Sequence, residues 1–290
     1  MFPPRPRLTD RGVGNFIRSH VEANRNAAAQ PHFYTSSGGN AGLACVSAAT
    51  ILGFPSTVIV PLSTKPHMID KIRLAGASEV IQVGATWFQA DKHLREEVLP
   101  KDPGGVYVPP FDHPIVWDGN STLAQEVRED LADVDAIVCS VGGGGLFSGI
   151  AQGFEDSRTR LVVVETEGAD SLNQSIKAKK LVTLPGITSI ATSLGAVTVA
   201  AKALDNGLKD NVSSLVVTDE EACRACVRFA EDERMLVEPA CGATLALAYE
   251  AGKLAQAVPG LNKDSRVVLV VCGGQNISLE LLEEWKSQYC

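Results

Sequence analysis

Short apolar runs rich in β-branched residues alternate with helical patterns along almost the whole chain. Most of these runs are continuously apolar, as in parallel strands that are covered on both faces. Strand, helix, strand, repeated in this way, predicts an α/β protein with parallel-rich sheets. The predicted strands are His32–Thr35, Thr57–Pro61, Glu79–Val83, Ala136–Val141, Leu161–Glu165, Ser213–Val217 and Val267–Val271. The predicted helices include Asn40–Gly53, Pro66–Gly76, Thr86–Leu99, Asp219–Asp232 and Gly242–Ala255.

A segment rich in glycine and proline interrupts this pattern at Asp102–Asp112, which holds two glycines and three prolines. Such a cluster ends regular structure and indicates a crossing between two domains. The length of 290 residues agrees with two domains, at roughly 150 residues per domain.

Charge and cysteine content exclude several classes of function. The 26 lysines and arginines and the 34 aspartates and glutamates give a net charge of −8, so we expect no nucleic-acid partner and no anionic membrane. The seven cysteines are odd in number and irregularly spaced, which predicts reduced thiols and a cytoplasmic location. No apolar stretch reaches the roughly 18 residues of a membrane span, and the sequence shows no signal peptide and no zinc-enzyme motif.

Four consecutive glycines, Gly142–Gly145, follow the predicted strand Ala136–Val141 and precede a helical pattern. Residues without side chains allow successive backbone N–H groups to converge on an anion, and the start of a helix adds its dipole. We interpret this loop as a phosphate site. The alternative is a flexible turn.

Two further loops rich in small residues also follow predicted strands. Ser36–Gly42 offers hydroxyl groups and bare amides at a helix start, which suits a carboxylate and suits an ordinary helix cap equally well. Val271–Asn276 carries Cys272, which is either a residue that faces a ligand or a buried structural thiol. Ligands of open α/β sheets bind beyond the carboxyl ends of the strands, so the three loops are predicted to share one cleft.

The known nucleotide motifs are absent from the sequence. Gly12-Val-Gly14 lacks the third glycine of the dinucleotide fingerprint, and no P-loop motif occurs. A phosphate site without such a motif, beside a carboxylate loop, indicates a phosphorylated cofactor that meets an amino acid. Pyridoxal phosphate satisfies both requirements, whereas a sugar phosphate would satisfy the first.

From Arg11 to its C-terminus the chain resembles the L-serine dehydratase/L-threonine deaminase (serine ammonia-lyase) family. This family belongs to the fold-type II pyridoxal-phosphate enzymes, whose α/β fold is tryptophan synthase β-like. The matching motifs occur in the order of the family. They are Arg11–Gly14, Ser36–Gly42, Val108–Asp112, Ser140–Leu146, Glu165–Ala169, Ser193–Gly195, Leu236–Ala243 and Val271–Ser278.

The resemblance implies two domains with parallel-rich sheets and a cofactor cleft between them. The small domain would comprise residues 12–108, and the large pyridoxal-phosphate-binding domain residues 1–11 and 109–290. The implied reaction is β-elimination of water from L-serine or L-threonine, which gives pyruvate or 2-oxobutanoate plus ammonia. Serine racemase and β-replacement enzymes share this fold and are the alternative activities. We also expect a homodimer.

The resemblance also implies the site residues. Four glycines would hold the cofactor phosphate: Gly142, Gly143, Gly144 and Gly145. The cofactor ring oxygen would bind to Asn40, and the pyridine nitrogen would face Cys272. The substrate carboxylate would bind to Ser36, Ser37, Gly38 and Ala41. A monovalent cation such as K⁺ would bind to the side chain of Glu165 and to the carbonyl oxygens of Gly142, Ala169, Leu194 and Ala196.

One position departs from the family pattern S-x-K-x-R-G, whose lysine forms the covalent bond to the cofactor. Aligned on Arg11 and Gly12, the lysine position is Thr9 and the serine position is Arg7. A hydroxyl group cannot replace this lysine, so we assign no catalytic residue and expect the chain as given to be inactive. Three explanations are open: an incomplete chain, a lysine-less relative that binds cofactor or amino acid without turnover, and residual catalysis by another amine.

Overall fold

The structure is a computed structural model that describes residues 8–27, 29–250 and 252–290, with side chains from residue 11 onward in these ranges. The chain divides into two compact units, Met1–Asn120 and Ser121–Cys290. The domains predicted from the sequence, residues 12–108 and residues 1–11 with 109–290, stay a prediction.

The first unit contains four strands: β1 (His32–Thr35), β2 (Ser56–Val60), β3 (Glu79–Gln82) and β4 (Gly105–Tyr107). They form one parallel sheet in the order β3-β2-β1-β4. Its helices are α1 (Leu8–Ala23), α2 (Asn40–Leu52), α3 (Pro66–Leu74), α4 (Trp87–His93) and the start of α5 (Pro114–Asp130). A π-helical turn, Leu94–Val98, and a short 3₁₀ helix, Leu99–Lys101, follow α4 directly.

Apolar side chains cover both faces of this sheet. On one face Phe33 packs among residues of α1 and α2, which include Ile17 and Cys45. On the other face Ile59 packs against Leu94. Successive residues of a strand point to opposite faces, so a sheet with helices on both sides needs apolar residues at consecutive positions. This is the physical reason for the continuous apolar runs.

The second unit repeats this plan. Its strands are β5 (Ala136–Ser140), β6 (Arg160–Thr166), β7 (Val212–Val217) and β8 (Val267–Leu269), all parallel in the order β7-β6-β5-β8. Its further helices are α6 (Gly145–Gly153), α7 (Ser171–Ala178), α8 (Ala201–Gly207), α9 (Asp219–Glu233), α10 (Pro239–Tyr249), α11 (Lys253–Ala257) and α12 (Leu279–Tyr289), with a 3₁₀ turn at Thr192–Leu194. The largest core cluster joins β5 and β6 to α9, α10 and Trp285 of α12.

The predicted α/β fold with parallel sheets is confirmed, and each predicted strand is present within two residues of its predicted ends. The strand β4 was not predicted, because it is three residues long and lies inside the glycine- and proline-rich segment. It forms by pairing with β1, which is distant in the sequence. The predicted helix Gly242–Ala255 is wrong as one element, since the chain leaves the helix at Glu250 and α11 starts after Gly252 at φ +80°.

Among the residues that the structure describes, no helix is long and apolar enough to cross a lipid bilayer.

Candidate active site

The four-glycine loop connects β5 to α6, as the sequence predicted. Gly144 has a φ of +90°, which favours glycine, and a Cβ atom there would lie 2.4 Å from the Cβ atom of Ala203. A Cβ atom at Gly142 would lie 3.0 Å from the carbonyl oxygen of Ser193. A side chain at Gly144 is therefore excluded by atoms already in place, and one at Gly142 would require the Ser193 backbone to shift by a few tenths of an ångström.

Residues that follow the turn at Thr192–Leu194 hold the same loop from the other side. The amide of Ala200 donates a 3.0 Å hydrogen bond to the carbonyl oxygen of Gly143. Gly142 and Gly143 are partly exposed, whereas Gly144 and Gly145 are buried at the start of α6. The loop is thus packed on one side and open on the other, which agrees with an anion site and not with a flexible turn.

The loop Ser36–Gly42 lies at the carboxyl end of β1 and leads into α2. Gly39 occupies the N-cap position of α2, and no side chain in the described part of the chain caps this helix there. The amide of Gly39 donates to Ser37 Oγ at 3.3 Å, which is a hydrogen bond within the loop. The Ser37 side chain therefore does not cap the first turn of the helix. A Cβ atom at Gly42 would lie 1.8 Å from the Ser37 carbonyl oxygen, which explains the glycine. This geometry favours the anion site over the ordinary cap.

Ser36 itself is fully buried, and its hydroxyl group donates a 2.6 Å hydrogen bond to Asp91 Oδ1. Asp91 lies on α4 and was not singled out in the sequence. Its only sequence signal is the spacing of four residues to Arg95, which is common on helices and indicates an ion pair and nothing more. The structure therefore adds a buried carboxylate directly behind the predicted carboxylate loop.

Cys272 follows β8, beside the strand that leads to the glycine loop. The amide of Val270 donates to the Val138 carbonyl oxygen at 2.9 Å, and the Cys272 thiol is hydrogen-bonded to Ser140, two residues before Gly142. The structure thus brings Cys272 and the glycine loop together at the carboxyl edge of one sheet. Loss of hydration, with nearby thiols and Glu238, raises the pKa of Cys272 well above its ordinary value, so the sulfur keeps its proton at neutral pH.

Glu238 shapes the loop after Cys272 and was present in a matched motif without an assigned role. It is 3% exposed at the N-cap of α10, and its Oε2 accepts from the Asn276 amide at 3.0 Å. Its own amide donates to the Gly273 carbonyl oxygen at 2.9 Å. Gly274 has a φ of +98°, and a Cβ atom there would lie 2.0 Å from the carboxyl carbon of Glu238. Gly274, the second glycine after Cys272, therefore makes room for this carboxylate.

Glu165, the predicted cation ligand, is fully buried at the carboxyl end of β6. Its Oε1 and Oε2 accept hydrogen bonds from the amides of Leu172 and Asn173 at 2.8 and 2.7 Å, at the start of α7. Burial raises the pKa of Glu165 to about 8, although these two amides favour the charged form. A carboxyl group in this state becomes fully charged when a cation compensates it.

The other predicted cation ligands lie in the same unit. Gly142 lies against the backbone of Leu194, with a Cβ position 3.1 Å from the Leu194 Cα atom. The Ala196 amide donates to the Leu194 carbonyl oxygen at 2.7 Å, and the Ala169 amide to that of Thr166 at 2.9 Å. Thr9, at the lysine position, belongs to α1, but its side chain and all of Arg7 lie outside the described residues.

Comparison with known proteins places these loops in a family. The profile of the family described as "Pyridoxal-phosphate dependent enzyme" matches residues 8–273. The chain belongs to this family. The family, and with it the fold-type II α/β architecture, is the one that the sequence motifs indicated.

Several relatives of the chain have names that refer to serine or threonine. The "Serine dehydratase-like" protein of Rattus norvegicus is 44% identical over 287 residues, which are 96% of this chain and 84% of that protein. The "Catabolic L-serine/threonine dehydratase" of Saccharomyces cerevisiae is 39% identical, over 97% of this chain and 82% of that protein. A fungal L-serine ammonia-lyase from Rhizomucor miehei has a similar structure, with a TM-score of 0.88 and 34% identity over 98% of this chain and 89% of that one.

Proposed function

We propose that the site is that of a pyridoxal-phosphate-dependent L-serine/L-threonine ammonia-lyase, and that the chain with Thr9 in place of the lysine binds cofactor and amino acid without turning the amino acid over. The observation that carries the proposal is the packed four-glycine loop beside Cys272. Atoms of Ala203 exclude a side chain at Gly144, Ser193 crowds Gly142, and Gly142 and Gly143 are partly exposed. The similarity to serine and threonine dehydratases supports the choice of substrate.

The residues present fit the cofactor. The amides of Gly142–Gly145 and the start of α6 would hold its phosphate, and the Asn40 side chain would donate to its ring oxygen. Cys272 would face the pyridine nitrogen with a neutral thiol, since its raised pKa keeps the proton on Sγ. When bound, the cofactor supplies a sink for the electron pair left at Cα after proton loss. A thiol would not hold the pyridine nitrogen protonated, which favours elimination of a leaving group over chemistry that needs a stronger sink.

The residues of the first unit would bind the amino acid. The Ser37 hydroxyl and the amides of Gly38 and Ala41 would receive its carboxylate at the uncapped start of α2. This contact would fix the orientation of the Cα–H bond and of the β-hydroxyl group. The chain has no lysine at position 9 to take the Cα proton, so the elimination would stop at this point.

A monovalent cation, K⁺ for example, would order the second unit. Glu165 supplies a buried carboxylate, and Gly142, Ala169, Leu194 and Ala196 supply backbone carbonyl oxygens, a set suited to a hard ion. The contact of Gly142 with Leu194 means that an ion held there would also fix the glycine loop. The homodimer and the cytoplasmic location stay predictions.

Restoring the motif tests the proposal. The double variant Arg7→Ser/Thr9→Lys, incubated with pyridoxal phosphate, should become yellow and release pyruvate from L-serine and 2-oxobutanoate from L-threonine. The unchanged chain and the control Arg7→Ser should release neither product. Normal serine turnover by the unchanged chain would contradict the proposal. Formation of D-serine by the double variant would identify a racemase instead.

The position of Thr9 favours a second candidate, a binding protein whose site does not support turnover even when the lysine is restored. In that case the double variant would also stay inactive, while the unchanged chain retained pyridoxal phosphate in equilibrium dialysis. The variant Gly144→Ala, which puts a methyl group into the phosphate loop, should lose that retention.

A further inference from the structure

Asp91 is the centre of a network of four side chains beneath the carboxylate loop of the first unit. Its Oδ1 accepts from Ser36 Oγ at 2.6 Å and from the hydroxyl group of Tyr107 at 2.8 Å, and its Oδ2 accepts from Arg95 Nε at 2.8 Å. The Arg95 guanidinium lies over the Tyr107 ring, 4.0 Å from its centre. Three donors therefore converge on one carboxylate that is 8% exposed, and one of them, Arg95, is also stacked on the ring of another, Tyr107.

The elements around Asp91 fix its position. Asp91 lies on α4, one turn before Arg95 in the π-helical segment, and Leu94 between them is fully buried in the core. Tyr107 ends β4, which pairs with β1 immediately before Ser36. Burial and the negative charge of Asp91 raise the pKa of Tyr107 to about 12, so this hydroxyl group remains a donor at neutral pH.

The direction of the Ser36 hydrogen bond limits what Ser36 can do. A serine hydroxyl group has one hydrogen, and a carboxylate can only accept, so this hydrogen points toward Asp91. Ser36 is also fully buried and presents no surface to a ligand. Its side chain therefore anchors the loop and does not donate to a substrate carboxylate.

Ser37 is in the opposite situation. Its Oγ accepts from the Gly39 amide, a bond that uses a lone pair and leaves the hydroxyl hydrogen for another acceptor. Ser37 is partly exposed and lies at the uncapped start of α2. Of the two serines, Ser37 is thus the one that can donate to an anion.

We propose that Asp91 is a positioning residue that fixes the amino-acid carboxylate loop by accepting the hydrogen bond of the Ser36 hydroxyl group, so that Ser37 and the amides at the start of α2 form the carboxylate site. The part that concerns the amino acid rests on the proposed function. The part that concerns the loop does not, because it follows from contacts within the first unit. Arg95 balances the charge of Asp91, which would otherwise repel an incoming carboxylate.

Hydrogen exchange of the ligand-free chain tests the loop. In Asp91→Ala and in Ser36→Ala, the amides of residues 37–41 should exchange at least about 10-fold faster, as expected when a hydrogen bond to a charged group is lost. Asp91→Asn keeps an acceptor for Ser36 but gives up the charged pair with Arg95, so it should exchange like the unchanged chain. Asp70→Asn, an exposed aspartate of α3 with a loose ion pair, is the control.

A titration tests the substrate part. The chain is loaded with pyridoxal phosphate, dialysed, and titrated with L-serine or with ethanolamine, which lacks the carboxylate. Asp91→Ala should weaken L-serine binding about 10-fold or more and leave ethanolamine binding unchanged. In the Ser36→Ala background, Asp91→Ala should add nothing, because both act through one hydrogen bond.

The outcomes separate the two proposals. Unchanged loop exchange in a cooperatively folded Asp91→Ala or Ser36→Ala variant would overturn the positioning role. Equal acceleration in Asp91→Asn and Asp91→Ala would overturn it as well, because the ion pair with Arg95 would then be what matters. Accelerated exchange together with equal binding of L-serine and ethanolamine by the unchanged chain would support the positioning of the loop and contradict the proposed function.

Discussion

The raised pKa of Glu165 links the stability of the fold to pH. Its pKa is raised to about 8 in the folded chain, from an ordinary value of 4.5. Between these two pH values the folded state keeps a proton that the unfolded state releases. The contribution of Glu165 to stability is therefore fully present below about pH 4.5 and is lost as the pH rises toward 8.

Unfolding by urea at several pH values would measure this loss. From about pH 5 to pH 8 the free energy of unfolding should fall by at most about 4 kcal/mol through this group, in buffers whose only cation is tetramethylammonium. Potassium should reduce the fall, because a bound cation stabilises the charged carboxylate. In Glu165→Gln the free energy of unfolding should change less over the same range of pH. Equal curves for the unchanged chain and the variant would contradict the raised pKa, and equal curves in both salts would contradict the cation site.

Other residues show how far a sequence predicts a site. Gly142–Gly145 and Cys272 were proposed as site residues because each lies just beyond an apolar run that predicts a strand, and the position of a loop after a strand can be read from the sequence. Asp91 and Glu238 could not be identified in this way. Each acts through a partner distant in the sequence, Ser36 or Asn276, and only the fold brings these pairs together. The direction of the Ser36 hydrogen bond depends on the same long-range contact.

At the scale of elements, the link from β5 to α6 depends on glycine for steric reasons. Gly144 combines a positive φ with a Cβ position 2.4 Å from the Cβ atom of Ala203. By contrast, Gly186 has no atom of the described residues within 4 Å of its Cβ position and no positive φ. The two glycines therefore form a matched pair, one required by its surroundings and one not.

Gly144→Ala should lower the free energy of unfolding by about 3 kcal/mol, since it adds strain in the backbone and a clash in a packed region. It should also abolish retention of pyridoxal phosphate. Gly186→Ala should change stability by less than about 1 kcal/mol and leave retention intact. Urea unfolding and equilibrium dialysis measure the two effects. A stable Gly144→Ala variant that still retained the cofactor would show that the loop is not the phosphate site.

Elements were predicted well where local sequence decides and poorly where distant pairing decides. The predicted helix Asp219–Asp232 is present as α9, and its start is capped locally, since Thr218 and Glu221 are bonded to each other's amides within four residues. The strand β4 has little signal of its own and depends on pairing with β1. The end of α10 at Tyr249 also lacks a local stop signal other than Gly252, three residues later.

At the scale of the whole molecule, most cysteines of both units are buried. Cys45 is buried in the first unit, and Cys139, Cys223, Cys226 and Cys241 are buried in the second. Burial raises the pKa of each of these thiols. Cys272 is partly exposed, with its pKa also raised, and Cys290 is exposed. The reactive form of cysteine is the thiolate. The buried cysteines of both units should therefore react slowly, because they are inaccessible and because their raised pKa keeps them protonated.

Titration with dithiobis-nitrobenzoate at pH 8 should therefore find one fast thiol in the folded chain and seven in denaturant. Cys290→Ser should remove the fast reaction. Cys272 should react slowly, and loading with pyridoxal phosphate should slow it further if its sulfur faces the cofactor. Cys272→Ser, which removes that slow phase, identifies it. Protection by pyridoxal phosphate of any other thiol, with Cys272 unaffected, would place the cofactor elsewhere, whereas two or more additional fast thiols would mean that the buried cysteines are accessible in solution.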